Sequence, residues 1–138
     1  MNCVCQVSDE GVEIWNGAQL QTGDQHAVAA LAGVDPAKVR INMLYAGGSF
    51  GRRANPASDY IVEAVSIALA AKTDRPVKLV WTREDDMRAG WYRPMFVHRL
   101  KAAIDEEGKP LAWEHRLVGQ SIVKDTVFES ALLKDGID

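Results

Sequence analysis

Gly47-Gly48-Ser49-Phe50-Gly51-Arg52-Arg53 is the stretch of this chain whose residue types and spacing speak most directly of chemistry. Three glycines in five positions leave the backbone without Cβ atoms, so neighbouring N–H groups can close on an anion or an oxo group. Two arginines follow, and each guanidinium is a planar fork suited to a carboxylate or a phosphate. The bland alternative is a tight turn between strand and helix that carries two solvated arginines, because short glycine motifs recur by chance. Two nucleotide-binding readings fail on order: GGxxG is not the GxGxxG of a dinucleotide fold, and no Asp or Glu closes the second strand about 20 residues on. The GxxxxGK[ST] of a phosphate-binding P-loop is absent as well.

Three further groups attract notice. Arg83, Glu84, Asp85, Asp86, Arg88 and Arg93 have the composition of an acid/base cluster, but mixed-sign runs are as a rule solvated or structural, and a salt-bridged loop is expected. His98 and His115 fall on one face of an expected hairpin, close enough to suggest a metal pair. A third ligand is missing, so two partly buried histidines packing with Trp113 are expected instead. Cys3 and Cys5, two apart on a strand, share a face and are too close along the backbone for easy bridging, so both are expected as reduced thiols. Without CxxC, a second cysteine pair or His-x-x-x-His, no side-chain-ligated metal is expected.

These residues are positioned by elements that the hydrophobic pattern outlines. Residues 3–7 and 12–15 are β-prone runs around the turn chemistry of Ser8-Asp9-Glu10-Gly11 and predict a hairpin. Asp24 begins a stretch with Val28, Leu31 and Ala32 at helical spacing, ended by Gly33. Val39, Ile41, Met43 and Tyr45 alternate as a strand that runs into the glycine motif. Asn55 and Pro56 then offer a cap and a first-turn residue for a long helix through Ala71, with Ile61, Val62, Val65, Ala68 and Leu69 inward. Residues 77–81 read as a buried strand, which completes a strand, glycine loop, helix, strand unit whose strands should be parallel if they share a sheet. Phe96, His98, Leu100, Ala102 and Ile104, then Leu111, Trp113, His115 and Leu117, predict an antiparallel hairpin with one buried face. Residues 125–138 suit a helical tail or a segment that belongs against a neighbour.

Length and balance fit one α+β domain with a mixed sheet over residues 1–138: 47% of the residues are apolar and 25% charged, enough to bury a core. The net charge of -3, from 16 basic and 19 acidic side chains, gives no field suited to a polyanion, so no nucleic-acid partner is expected. The N-terminus lacks the order of a signal peptide, and no apolar run approaches the ~20 residues of a membrane span. A soluble piece without a membrane span is therefore expected.

Five stretches occur together in order: Met1-Asn2-Cys3; Val12-Glu13-Ile14-Trp15 with Gln19; GGSFGRR; Arg75-Pro76-Val77-Lys78; and Trp81-Thr82-Arg83-Glu84-Asp85-Asp86-Met87. Over roughly residues 1–120 they resemble the molybdopterin-binding large subunit of the xanthine dehydrogenase and aldehyde oxidase family. The branch they resemble is that of the isoquinoline 1-oxidoreductase β-subunits, in which GG-x-FGRR replaces the GGGFGGK of the xanthine dehydrogenases. The resemblance implies that the loop of Gly47, Gly48, Ser49, Phe50 and Gly51 lines the cofactor, with N–H groups toward the molybdenum centre and pterin. It implies that the side-chain amide of Gln19 hydrogen-bonds an oxo ligand. A neutral donor of this kind polarises an oxo group without adding a titratable charge, although Gln19 taken alone is an ordinary loop glutamine. Arg52 and Arg53 are left with two uses, a pyrophosphate of the cofactor or a salt bridge to a neighbouring domain. Ala54 stands where the xanthine dehydrogenases carry an acidic substrate-orienting residue, which argues against purine hydroxylation.

By the same resemblance, the parent enzyme carries molybdopterin cytosine dinucleotide with Mo. It oxidises an aldehyde or an N-heterocycle with water as oxygen source and pairs with a small [2Fe-2S] subunit. The glutamate base of the family and its AFRG-type loop have no counterpart in these residues. The chain is therefore expected to be an internal fragment of the large subunit, with no catalytic residue, no cofactor held by itself and no activity in isolation. Whether the bacterial-type parent works in the cytoplasm or the periplasm is left open. The rival from another class is an autonomous α+β ligand-binding or protein-interaction domain with no redox role.

Overall fold

A computed structural model describes residues 1–126 and 128–137. The chain forms two compact units, Met1–Trp91 and Tyr92–Asp138, so the single domain expected over residues 1–138 is internally divided.

In the first unit, β1 (Asn2–Ser8) and β2 (Gly11–Asn16) form the predicted hairpin, in the register Val4↔Trp15 to Ser8↔Gly11. α1 (Gln21–Ala32) then carries the chain to β3 (Val39–Met43), which pairs with β2 in parallel, from Val12↔Val39 to Asn16↔Met43. After the glycine loop come α2 (Asp59–Ala71) and β4 (Val77–Val80), which lies antiparallel beside β1. The mixed sheet has the order β3-β2-β1-β4. β3 and β4 run the same way, as expected of strands in one sheet, but two strands separate them.

The core follows from the two periodicities. Cys3, Cys5, Val12, Ile14 and Val39 point to one sheet face at period two, and α2 lays Ile61, Ala64, Val65 and Ala68 on it at helical spacing. Val28 and Ala29 of α1 close the layer. Fully burying a side chain of the size of Ile61 or Val65 stabilises by about 1.5–3 kcal/mol. Both cysteines are free thiols on the same face, as expected. Burial pushes Cys3 up to about 12 and Cys5 up to about 11, and for Cys3 the neighbouring Cys5 adds to the effect.

Four local expectations need correcting. α1 starts at Gln21, before Asp24, so Asp24 lies inside its first turn. α2 starts at Asp59 and not at Asn55: the Asn55 side chain accepts from Ala57 N at 2.7 Å and closes a turn of its own, and Ser58, at φ +50, redirects the chain into the helix. β4 is an edge strand that is buried on one side only: Val77 and Leu79 pack against the core while the alternate residues Lys78 and Val80 are exposed. Most of the mixed-charge run is a short helix, α3 (Arg83–Arg88), and not a loop, although Asp86 does form an ion pair with the Met1 amino group at 2.7 Å. Thr82 Oγ accepts from Asp85 N at 3.2 Å while Asp85 Oδ2 accepts from Thr82 N at 2.9 Å. This reciprocal capping box satisfies two backbone donors without any ion pair, and it holds the Asp85 carboxyl below its usual range.

The second unit is the hairpin of β5 (Phe96–Ile104) and β6 (Pro110–Gly119), antiparallel as predicted and paired from Phe96↔Gly119 to Ile104↔Pro110, followed by the four-residue helix α4 (Glu129–Leu132). One buried face was expected of this hairpin, yet every residue of both strands is exposed. Alternation selects a face, but burial requires something laid upon it. Val127 and Asp138, within the tail at 125–138, lie outside the described residues. No helix among the described residues is long and apolar enough to cross a membrane.

Candidate functional site

Parallel pairing explains why two segments far apart in sequence meet. β2 and β3 run side by side in register and end at the same edge of the sheet, so the residues after Asn16 and those after Met43 leave together. The partnership continues beyond the strands: Leu44 N donates to Asn16 O at 2.8 Å, and a Cβ on Gly17 would come within 2.8 Å of the Ala46 Cβ. Gln19 and the glycine loop are therefore neighbours, and loops at the C-terminal ends of parallel strands are where open α/β sheets bind ligands.

The loop folds as two successive turns. Arg52 N donates to Ser49 O at 2.9 Å and Ala54 N donates to Gly51 O at 3.0 Å. Gly48, Phe50 and Gly51 take φ of +115°, +51° and +89°, and a Cβ on Gly48 would come within 2.7 Å of the Phe50 ring. A phenylalanine in the left-handed region is costly, and such conformations cluster at binding sites. The Phe50 side chain is 79% exposed, so no buried contact explains the strain.

Of the residues singled out in the sequence, the structure brings Gln19 to the loop. Gln19 Oε1 accepts from Arg53 N at 3.2 Å. Among the described residues, the backbone amides of residues 47–51 have no hydrogen-bond acceptor, whereas those of Arg52, Arg53 and Ala54 are engaged. The loop thus divides into a leading half with free donors and a trailing half that fastens it to the fold.

The arginine side chains belong to the trailing half. Arg52 grips Asp59 of α2 with both fork nitrogens, at 3.3 and 2.8 Å, and lies 5.6 Å from the centre of the Trp81 ring. That ring is pinned by its own bond, from Trp81 Nε1 to Glu63 Oε2 at 2.6 Å. Arg53 reaches Asn2 O at 3.3 Å, Asn2 Oδ1 at 2.9 Å and Tyr60 OH at 3.5 Å, with its guanidinium 5.4 Å from the Tyr60 ring centre. The sequence left these arginines a pyrophosphate or a neighbouring domain; in the fold, their forks meet partners in their own unit. A cleft of about 330 Å³ lies beside them, lined by Asn2, Gly48, Ser49, Arg52, Arg53 and Trp81 among others.

Several supporting residues escaped the sequence reading. Asp59, Tyr60 and Asn16 have core or helix positions that give no functional signal in one dimension. Asn16 Nδ2 donates to Tyr60 OH at 3.0 Å, and burial raises the Tyr60 hydroxyl above its ordinary range. Asp24, buried in α1, accepts from Ser58 Oγ at 2.7 Å and ties α1 to the start of α2. Burial, and secondarily the charge of Asp59, raises Asp24 to about 6 against the lowering effect of the Ser58 hydrogen bond.

Two of the other sequence candidates, His98 and His115, belong to the second unit. His98 Nδ1 and His115 Nε2 approach to 2.9 Å across β5 and β6, and Trp113 meets His115 edge-on, but the strand positions are exposed where partial burial was expected. No group of three or more potential metal ligands occurs among the described residues.

The family model for the molybdopterin cofactor-binding domain matches residues 1–127. The isoquinoline 1-oxidoreductase subunit beta of Brevundimonas diminuta is 32% identical over 115 residues, which cover 83% of this chain and 14% of that protein. The membrane-bound aldehyde dehydrogenase (pyrroloquinoline-quinone) of Gluconacetobacter polyoxogenes is 31% identical over 137 residues, 99% of this chain and 17% of that protein. The xanthine dehydrogenase of Emericella nidulans is 30% identical over 107 residues, 78% of this chain and 8% of that protein. The chain therefore spans less than a fifth of the length of these relatives. Its match along nearly its whole length, with the glycine loop and Gln19 side by side at one sheet edge, establishes that the chain belongs to the molybdopterin cofactor-binding domain family.

Proposed function

We propose that Gln19 and residues 47–51 form one wall of a molybdopterin site in a subunit that oxidises an aldehyde or an N-heterocycle with water as oxygen source. The observation that carries this reading is the set of free amides at residues 47–51 beside a glutamine held in place by Arg53 N. The donor set fits the group: uncharged N–H donors suit oxo and pterin acceptors, and the open space where Gly47 lacks a Cβ lets such a group approach the backbone. When bound, the molybdenum cofactor supplies the redox chemistry and the oxygen transfer. The chain's own residues bind and orient. The amides and the Gln19 side chain hold acceptor oxygens, Phe50 covers apolar surface, and Arg52 and Arg53 keep the loop in shape.

A cytosine-dinucleotide form of the cofactor and a small [2Fe-2S] partner subunit complete the proposal. One wall does not enclose a cofactor, because preorganised donors act strongly only where water is excluded. The 138 residues alone are therefore expected to hold no stoichiometric molybdenum and to give no dye-linked turnover of aldehyde or isoquinoline. Metal and pterin analysis tests this on the isolated chain and on the longer subunit that contains it. Stoichiometric molybdenum on the chain alone would refute the single-wall reading. A longer subunit holding pyrroloquinoline quinone, the group in the aldehyde dehydrogenase relative's name, would refute the pterin itself.

A further inference from the structure

We propose that Arg53 is a positioning residue: clamped by Asn2 and Tyr60, it aims the side-chain amide of Gln19 away from the loop and toward the bound group. The inference rests on the molybdopterin reading for the identity of that group, but the clamp stands on its own geometry. A backbone N–H can only donate, so the bond of 3.2 Å from Arg53 N fixes which end of the Gln19 amide faces the loop. Oxygen faces inward. The planar amide then carries both of its N–H groups on the opposite end, free to donate.

That bond is exposed, and water competes well for a lone exposed hydrogen bond made by a rotamer-rich side chain. What makes it persist is the fastening of its donor. The Arg53 guanidinium is held by the carbonyl and the side chain of Asn2 on β1 and by the hydroxyl and ring of Tyr60 on α2. Tyr60 is itself fully buried and fixed by Asn16 at the end of β2. The residue that presents the N–H to Gln19 is thus braced against three elements of the core. A lysine at the same place keeps the backbone N–H but not the planar fork that meets two acceptors of Asn2 at once.

Amide hydrogen exchange and the side-chain NH2 resonances of Gln19, recorded on the 138-residue chain by NMR, test the clamp. The amide at position 53 should exchange about tenfold faster in Gln19→Ala than in the unaltered chain. Gln19→Glu, whose carboxylate still accepts, should restore the slow exchange. Arg53→Lys and Asn2→Ala should each speed it severalfold and shift the Gln19 NH2 pair, with the sheet amides unaffected. The proposal is overturned if Arg53→Lys leaves both readouts unchanged, or if the amide is unprotected from the start. In the longer subunit, a Gln19→Glu variant that passes these tests and still holds full molybdenum would leave the clamp standing and remove the donor role of Gln19.

Discussion

The β1–β2 and β5–β6 hairpins obey the same rule and meet different fates. Each alternates apolar and polar residues about a short turn. In β1–β2 the apolar set lies under α1 and α2, and Cys5 and Ile14 are fully buried; in β5–β6 the equivalent set stays exposed, with Trp113 at 67% and Leu117 at 52%. The second hairpin also places Arg99 directly opposite Arg116, a like-charge pair that disfavours pairing and here has no carboxylate within salt-bridge distance among the described residues. Period-two patterning therefore states which face is prepared for burial, and helices of the right length and face decide whether burial happens.

The largest effect expected to separate the two regions comes from truncating matched apolar residues. Ile61→Ala, in the covered layer, should lower the unfolding free energy by about 2–5 kcal/mol in urea titrations. Leu117→Ala should change it by less than about 0.5 kcal/mol. Equal losses would break the comparison, since they would show the hairpin covered in solution.

Acidification probes the first unit through Asp24. Asp24 keeps its proton up to about pH 6 in the fold, against 3.8 for the ordinary group. Its charged form is thus disfavoured by folding, so stability rises as pH falls through 6, and the gain is complete below about 3.8. Asp24→Asn should accordingly stabilise at pH 7.5 by up to about 3 kcal/mol, with the difference vanishing near pH 4 in thermal or urea melts. A constant difference across that window would exclude the buried carboxyl as its source.

Backbone strain sharpens the contrast on a smaller scale. Gly48→Ala must tolerate φ +115° and a Cβ 2.7 Å from the Phe50 ring, and should cost about 1–3 kcal/mol. Gly108→Ala, in the β5–β6 turn at φ +82° with open space around it, should cost about 1 kcal/mol. The smallest effect concerns thiols: Cys3 and Cys5, buried with thiols raised to about 12 and 11, should not react with a disulfide reagent at pH 8 until the unit unfolds.

Much of the frame was legible in one dimension because local rules and tertiary packing agree there. The β1–β2 hairpin, the end of α1 at Gly33, and the loop between β3 and α2 follow from turn chemistry and period. The start of α2 did not, because Asn55-Pro56 is a good local cap that the chain uses for a turn before Ser58. The helix α3 was legible in principle: Thr82 followed three residues on by Asp85 is a capping signal, hidden by the surrounding charges. In the candidate site, the glycines announced themselves by type, and Gln19 only through the company of the other stretches. Asp59 and Tyr60 gave no signal, and Asn2 only as part of a family stretch, since their roles come from a sheet and a helix start that bring distant residues together.

That parallel pairing has a consequence for what the sequence can change freely. The spacing between Gln19 and the loop is measured by the rungs of β2 against β3, from Val12↔Val39 to Asn16↔Met43, as by a ruler laid along the sheet. The link from Gly33 to Lys38 lies at the other end of that ruler. Extra residues inserted there lengthen only the return path, whereas a single residue deleted within β3 slides every mark and turns its side chains to the opposite face.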